Sequence, residues 1–282
     1  MNSMQKYTSS KGNQLKTLIN EGKEWFKADY LGYEGASEQI ASFIAKHSNI
    51  GDFTPYKMSV YKDEIDSRLF IGCSSINFLY DKPNAEIVTA KNLFLQYKGI
   101  DIYKETQNMS TKDRIKYFVD GIEEITGIQN YGSYLTKMLE FDAFVLNEDR
   151  HFNNIAFLYD SETEKFFLTP LFDNGAAFLS DISMDYKIGG NTRGMISKVK
   201  AKPFSTDFDK QVKAAESLYG GQLQIDKNIQ IPFRTKETII EYYGEEVLNR
   251  IEYTINHQKQ KYSELLVGLD KEKIMKEDFI RD

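Results

Sequence analysis

The hydrophobic pattern changes character along the chain. Leu15, Leu18 and Ile19 form a small apolar run, Glu24-Trp25-Phe26-Lys27-Ala28 reads as a short strand, and Asn20-Glu21-Gly22 between them is a turn signal, so a hairpin is predicted. Over 36–47, Ile40, Phe43 and Ile44 share one helical face, with Ser37 as a candidate N-cap. Strand-like stretches follow at 56–61, 69–71 and 76–80. From about residue 110 the period is helical. Ser110 begins a capping-box-like Ser-Thr-Lys-Asp, Ile115, Phe118, Ile122 and Ile125 follow at helical spacing, and Gly127 is the stop. A second helix is predicted over 132–146, with Leu135, Met138, Leu139 and Val145 inward. Two short strands, 155–158 and 166–168, flank an acidic turn. Helices over about 207–219 and 236–266 complete the pattern, and Gly244 marks a break in the second. The prediction is an α+β protein in two lobes, a small mixed β lobe over 1–80 and a larger, mostly helical lobe over 81–282.

Composition narrows the class. A chain of 282 residues with 41% hydrophobic and 28% charged positions is globular, with bulk for a large core. The single cysteine, Cys73, excludes an intramolecular disulfide and a cysteine-rich zinc module, and fits a reducing compartment. A net charge of −6, from 42 acids against 36 bases, argues against nucleic acid as a partner. No apolar run approaches the roughly 18 residues of a membrane span, and the first residues carry no apolar stretch of a secretory signal. The expectation is a cytoplasmic protein, one that needs another route if it is exported to act in a host cell.

The chemistry concentrates in Asn147-Glu148-Asp149-Arg150-His151-Phe152-Asn153-Asn154, between a predicted helix and a predicted hairpin. One hairpin further on comes Leu171-Phe172-Asp173-Asn174-Gly175, so the hairpin would return Asp173 beside the first loop. This is a phosphoryl-transfer layout. Asp149 can accept the proton of an attacking hydroxyl, while Asn154 and Asp173 can hold a divalent cation through oxygen. Magnesium takes few protein oxygens and suits so sparse a set. The nearby glycine, Gly175, is expected to permit the turn that aims the Asp173 carboxylate.

Asp-Arg-His-x-x-Asn followed by Phe-Asp-x-Gly resembles the catalytic and metal loops of atypical kinases. These include the phosphoinositide kinases with their protein-kinase relatives, and the HipA-like bacterial serine/threonine kinases. The resemblance implies Asp149 as catalytic base, Asn154 and Asp173 as magnesium ligands, and His151 as either a loop-holding or a chemical member of the catalytic loop. Ser9-Ser10-Lys11-Gly12-Asn13-Gln14-Leu15-Lys16 is similar to the HipA-family nucleotide loop Gly-x-Gln-x-Lys, with one glycine where the family has three. It implies nucleotide contacts from Ser10, Gly12, Gln14 and Lys16, and autophosphorylation at Ser9 or its neighbour Ser10. Lys27 matches the strand lysine that contacts ATP phosphates, and Glu38 is its implied partner, with Glu34 as rival. Residues near 71–77 are the expected contacts to adenine.

Lys187-Ile188-Gly189-Gly190-Asn191-Thr192-Arg193 resembles the segment after the family's metal Asp, so the likeness spans roughly residues 7–200. Asn153 departs from it, because the family often has Lys there. No counterpart of the small extra N-terminal domain of HipA toxins is seen, which places the chain nearest the short single-domain, pro-inflammatory type. The implied protein has a two-lobed, HipA-like protein-kinase fold and uses ATP and Mg2+. It is implied to act on serine or threonine of a protein substrate, with an antitoxin or host protein as partner. Two alternatives stand beside it. One is a lipid kinase whose Lys198, Lys200 and Lys202 read an inositol phosphate headgroup. The other is a non-catalytic pseudokinase module, against which the intact Asp149, Asn154 and Asp173 set argues.

Overall fold

The computed structural model describes residues 14–63 and 67–269. The small lobe holds β1 (Lys16–Ile19), β2 (Glu24–Ala28), α1 (Glu34–Lys46), β3 (Tyr56–Lys62) and β4 (Leu69–Ile76). Its strands form one antiparallel sheet in the order β1-β2-β4-β3. β4 carries the stretch predicted at 69–71 on to Ile76, and 77–80, the rest of the second predicted strand, is a turn. Helix α1 lies on this sheet through Ile40, Ala41 and Ile44, all buried. It begins two residues earlier than its pattern suggested. Ser37 lies inside it and is no cap; its hydroxyl reaches across the molecule to the Ala177 carbonyl, 3.0 Å away.

The larger lobe begins with elements the hydrophobic pattern did not predict: β5 (Ala85–Thr89), α2 (Ala90–Lys98) and α3 (Ile102–Thr106). Then come α4 (Thr111–Thr126), α5 (Tyr131–Val145), β6 (Ala156–Asp160), β7 (Lys165–Leu168), α6 (Thr192–Ile196), α7 (Phe208–Tyr219), β8 (Ile225–Asp226), α8 (Phe233–Tyr243), α9 (Glu245–Lys261) and β9 (Leu266–Val267). β5, β6 and β7 make a second antiparallel sheet, so the chain crosses between the two sheets over 77–84, after β4 has ended. Gly244, at φ 88° and ψ 165°, separates α8 from α9, a conformation that glycine adopts without steric cost. Helix α5 is buried on nearly every face and packs against α4, α7 and α9, which makes it the axis of the lobe. A ring cluster fills the space beside it: Phe118 lies 5.0 Å from Phe152 and 5.3 Å from Phe204, centroid to centroid. Among the described residues no helix is long and apolar enough to cross a membrane.

The lobes meet along the β2–α1 loop. Gly32 bridges to Asp181, the Ser183 N–H donates to the Leu31 carbonyl at 3.0 Å, and the Tyr33 hydroxyl donates to the Phe178 carbonyl at 2.6 Å. Within the small lobe, α1 and β2 approach β4 so closely that Gly72 has no room for a side chain. A Cβ there would be driven into the Lys27 carbonyl oxygen, and one at Gly35 would meet the Gly72 backbone. Gly72→Ala is therefore expected to push β2 and β4 apart and to cost about 1–3 kcal/mol of stability. Denaturant unfolding checks this, and an unchanged midpoint would show that the sheet absorbs the methyl group.

Candidate active site

Lys27 is buried in β2 between Phe26 and Ala28, a position that admits a charge only if it is paired. Its ammonium donates to Glu38 Oε1 at 2.6 Å and to Asp173 Oδ1 at 2.7 Å, and sits 5.5 Å from the Tyr56 ring centroid. Burial works against that charge, but Asp173 and Glu38 outweigh it and hold the lysine well above its ordinary range. Burial likewise works to raise Asp173, and Lys27 with Lys16 overcomes it, holding the carboxyl well below the usual carboxylate range. Glu38, one helical turn into α1, extends its second oxygen to the Asn174 N–H at 2.8 Å. One glutamate thus ties the strand lysine to the Asp173 loop. Glu34 does something else: its carboxylate accepts the N–H groups of Leu31 at 2.7 Å and Gly32 at 3.0 Å and braces the interlobe loop.

The Asp173 loop is turned by Asp173 itself, at φ 60°, rather than by Gly175. Gly175 matters for space, since a Cβ there would come within 3.3 Å of Glu34 Cβ and 3.5 Å of Glu38 Oε1.

The Asp149 loop leaves α5 through Leu146, also left-handed at φ 57°. The buried Arg150 holds it. Its guanidinium makes a two-pronged pair with Asp142 at 2.9 and 3.0 Å. The same group donates to the carbonyls of Asn154 at 3.1 Å and Phe172 at 2.9 Å, and to Asn174 Oδ1 at 2.8 Å. A single side chain therefore fixes the Asp149 loop against the Asp173 loop. Asn154 donates its amide nitrogen to the Asp149 carbonyl at 2.9 Å, so its oxygen is the atom left to serve a cation. His151 Nε2 lies 3.8 Å from Asp149 Oδ2, beyond hydrogen-bond length, and both ring nitrogens are buried without a partner among the described residues. On the other side Lys202 donates to Asp149 Oδ1 at 2.8 Å.

Lys27, Asp149 and Asp173 line one cleft between the lobes, together with Gln14 and Glu148. Gln14 donates to the Ala28 carbonyl at 2.9 Å, and Lys16 stands opposite Lys27 in the β1–β2 register. Burial lowers the Lys16 pKa, and the neighbouring Lys27 charge lowers it further. Ser9, Ser10 and Gly12 lie outside the described residues. A magnesium ion fits the donor set at hand, an Asn oxygen and an Asp carboxylate, both hard oxygen ligands. Among the described residues no group of three or more His, Cys, Asp or Glu is arranged to hold a metal.

Sequence reasoning missed Arg150 as a clamp and Asp142 as its counter-charge. The available signal was Asp142 standing between Phe141 and the apolar Ala143-Phe144-Val145 at the end of a buried helix. It also missed the brace behind the cleft. The Tyr186 hydroxyl donates to Glu148 at 2.7 Å, while Arg250 of α9 donates to the Tyr186 carbonyl at 2.6 Å and the Lys187 carbonyl at 2.8 Å. The Lys187–Arg193 stretch itself is an exposed turn leading into α6, capped by Asn191.

At the end of β2, burial pushes the Asp29 carboxyl up to about 7, against hydrogen bonds from the Tyr243 hydroxyl at 2.8 Å and the Gly35 N–H at 2.7 Å. The folded chain then holds this proton more tightly than the unfolded chain, so the Asp29 contribution to stability falls as pH rises from about 4 to about 7. Asp29→Asn is expected to remove that fall. Urea unfolding at pH 5 and pH 8 should show the variant gaining on wild type at the higher pH, and an equal offset at both would refute it.

No protein-family model and no curated protein matches the chain. Among solved structures, the Helicobacter pylori proinflammatory kinase CtkA superposes with a TM-score of 0.58 at 16% identity, covering 89% of this chain and 92% of that one. HipA, from the HipA–HipB–operator DNA complex of the Shewanella oneidensis MR-1 toxin–antitoxin system, gives a TM-score of 0.42 at 14% identity, covering 94% of this chain and 60% of that one. The chain shares the α+β fold of the first, a small sheet-rich lobe joined to a larger helical lobe.

Proposed function

We propose that the chain is an ATP- and magnesium-dependent serine/threonine protein kinase of HipA-like type. The observation that carries this reading is the convergence of Lys27, Asp149 and Asp173 on one interlobe cleft. The fold it shares with CtkA supports it. Lys27 is a buried cation available to phosphate oxygens, with Gln14 and Lys16 beside it, and nucleotide contacts from Ser10 and Gly12 belong to the same proposal. Asn154 and Asp173 would hold magnesium, which supplies charge neutralisation to the phosphates when bound. Asp149 orients the acceptor hydroxyl and takes its proton as the new O–P bond forms. The bond from the γ-phosphorus to the bridging oxygen breaks, and its electron pair leaves with ADP. The backbone of His151 closes the loop, its N–H donating to the Asp149 carbonyl at 2.9 Å and its carbonyl accepting the Asn154 N–H at 2.8 Å.

Ser9 and Ser10 are the proposed sites of autophosphorylation, where about two added negative charges would oppose nucleotide phosphates and inhibit the enzyme. Cytoplasmic action, transfer to a host cell, and an antitoxin or host-protein partner belong to the same proposal.

The lipid-kinase alternative needs Lys198, Lys200 and Lys202 to act together on a headgroup, yet Lys202 is drawn to Asp149. The deciding experiment incubates the purified chain with radiolabelled ATP and Mg2+, offering a generic basic protein in one arm and phosphoinositide vesicles in the other. Label on protein, lost with EDTA, is expected. Label on lipid alone would favour the lipid kinase, and an ATP-dependent thermal shift without transfer to any acceptor would favour the pseudokinase. Mass spectrometry of the N-terminal peptide tests Ser9 and Ser10, and an unmodified peptide from active enzyme would remove them.

A further inference from the structure

Beyond α6 the chain turns back to the cleft, and the turn is fixed from beneath. Ala201 and Phe204 are buried, and the Ala201 N–H donates to the Thr206 carbonyl at 3.1 Å. The buried Gln211 of α7 donates to the Lys202 carbonyl at 3.0 Å and accepts the Phe204 N–H at 3.0 Å. The Phe204 ring lies 5.5 Å from that of Phe152, which belongs to the Asp149 loop. The backbone of Lys202 and the base's loop are therefore mounted on the same aromatic cluster. From that mount the Lys202 side chain, 46% exposed, brings its ammonium to 2.8 Å from Oδ1 of the Asp149 carboxylate, which is only 14% exposed.

An ion pair with one half-exposed partner adds little to folding. Its consequence lies in geometry. A carboxylate can rotate about its side-chain bonds, and a base must present one oxygen along the line of the acceptor O–H. The Lys202 bond to Oδ1 restrains that rotation and so limits the orientations in which the Asp149 carboxylate can meet an acceptor. We propose that Lys202 is the positioning residue of the base, acting through Asp149 and not through the nucleotide. The proposal rests on the kinase reading above.

It separates the two kinetic constants. Lys202→Met is expected to lower kcat by about 10- to 100-fold, the range for a misplaced base, and to leave KM for ATP within about twofold. Lys202→Arg keeps a cation at Oδ1 and is expected to recover most of the loss. Lys210→Met, which removes the same charge from an exposed position on α7, should match wild type. Thermal unfolding of Lys202→Met should stay within about 1–2 °C of wild type, which shows that the loss is not one of folding. A Lys202→Met enzyme as fast as or faster than wild type would overturn the proposal, as would a Lys202→Arg enzyme no better than the methionine variant. A wild-type chain that transfers no phosphate, assayed beside these variants, would overturn the kinase reading itself, and the positioning role with it.

Discussion

Asp149→Asn is expected to lower kcat for phosphate transfer by about 10²–10⁴-fold while Mg-ATP still binds, the loss typical of removing a general base. The amide keeps the shape of the side chain and can still meet Lys202, but it has no lone pair basic enough to accept the acceptor proton. On the proposed reading the nucleotide side of the cleft is built from other residues: Lys27 is held by Glu38 and Asp173, and the oxygens proposed for the cation are those of Asn154 and Asp173. Asp173→Asn should behave differently. It removes a charge that pairs with Lys27, so nucleotide affinity should fall together with turnover. Titrating Mg-ATP into both variants and following the thermal shift separates the two roles. An Asp149→Asn enzyme that turns over at the wild-type rate would remove Asp149 from the chemistry, and one that cannot bind Mg-ATP would make it part of the nucleotide site.

The site was legible in the sequence where its chemistry is local. Asp149, His151 and Asn154 lie within one loop, and the β6–β7 hairpin that returns the chain to Asp173 announces itself by two short apolar runs. Lys27 and Glu38 could be paired because they fall on consecutive elements, a strand and the helix that packs behind it. The order of elements already favours Glu38 over Glu34; both acids lie on the first turns of α1, and in the structure Glu38 meets Lys27 while Glu34 turns to the Leu31 N–H. What was hidden depends on partners distant in sequence. Lys202 reads as one of several lysines in a solvated run, and nothing local says that a buried glutamine and an aromatic cluster hold its backbone beside the base. The stretch 85–106 escaped for another reason. Its helices are 9 and 5 residues long, too short for a 3.6-residue period to stand out, and β5 leaves Glu86 and Ile87 exposed. Ser37 misled because a serine near a helix start has the same local signature whether it caps the helix or bonds across the molecule.

Arg150 was written in the motif from the start, but as an unassigned letter, and it carries the second large effect. Burial pushes the Asp142 carboxyl above its ordinary value, against the pull of Arg150 and Asn147, so the pair survives by completeness: each guanidinium nitrogen has an acceptor. Arg150→Met leaves Asp142 buried without its counter-charge and is expected to cost about 3–5 kcal/mol of stability. The double variant Asp142→Leu, Arg150→Met removes both charges and should be more stable than the single one, since apolar replacements of a buried pair are often tolerated. It should still fall short of wild type, because the Asn154 and Phe172 carbonyls and the Asn174 amide oxygen have lost their donor, at about 1–3 kcal/mol for each group left unsatisfied. Activity should not follow stability. The same donor registers the Asp149 loop against the Asp173 loop, so at a temperature where the double variant is fully folded its phosphate transfer should remain at least about 10-fold below wild type, in line with the sensitivity of turnover to small misplacements. Denaturant unfolding and the radiolabelled assay on the same preparations measure both quantities. A double variant with wild-type turnover would mean that the loops find their register without the guanidinium, and that Arg150 serves the fold alone.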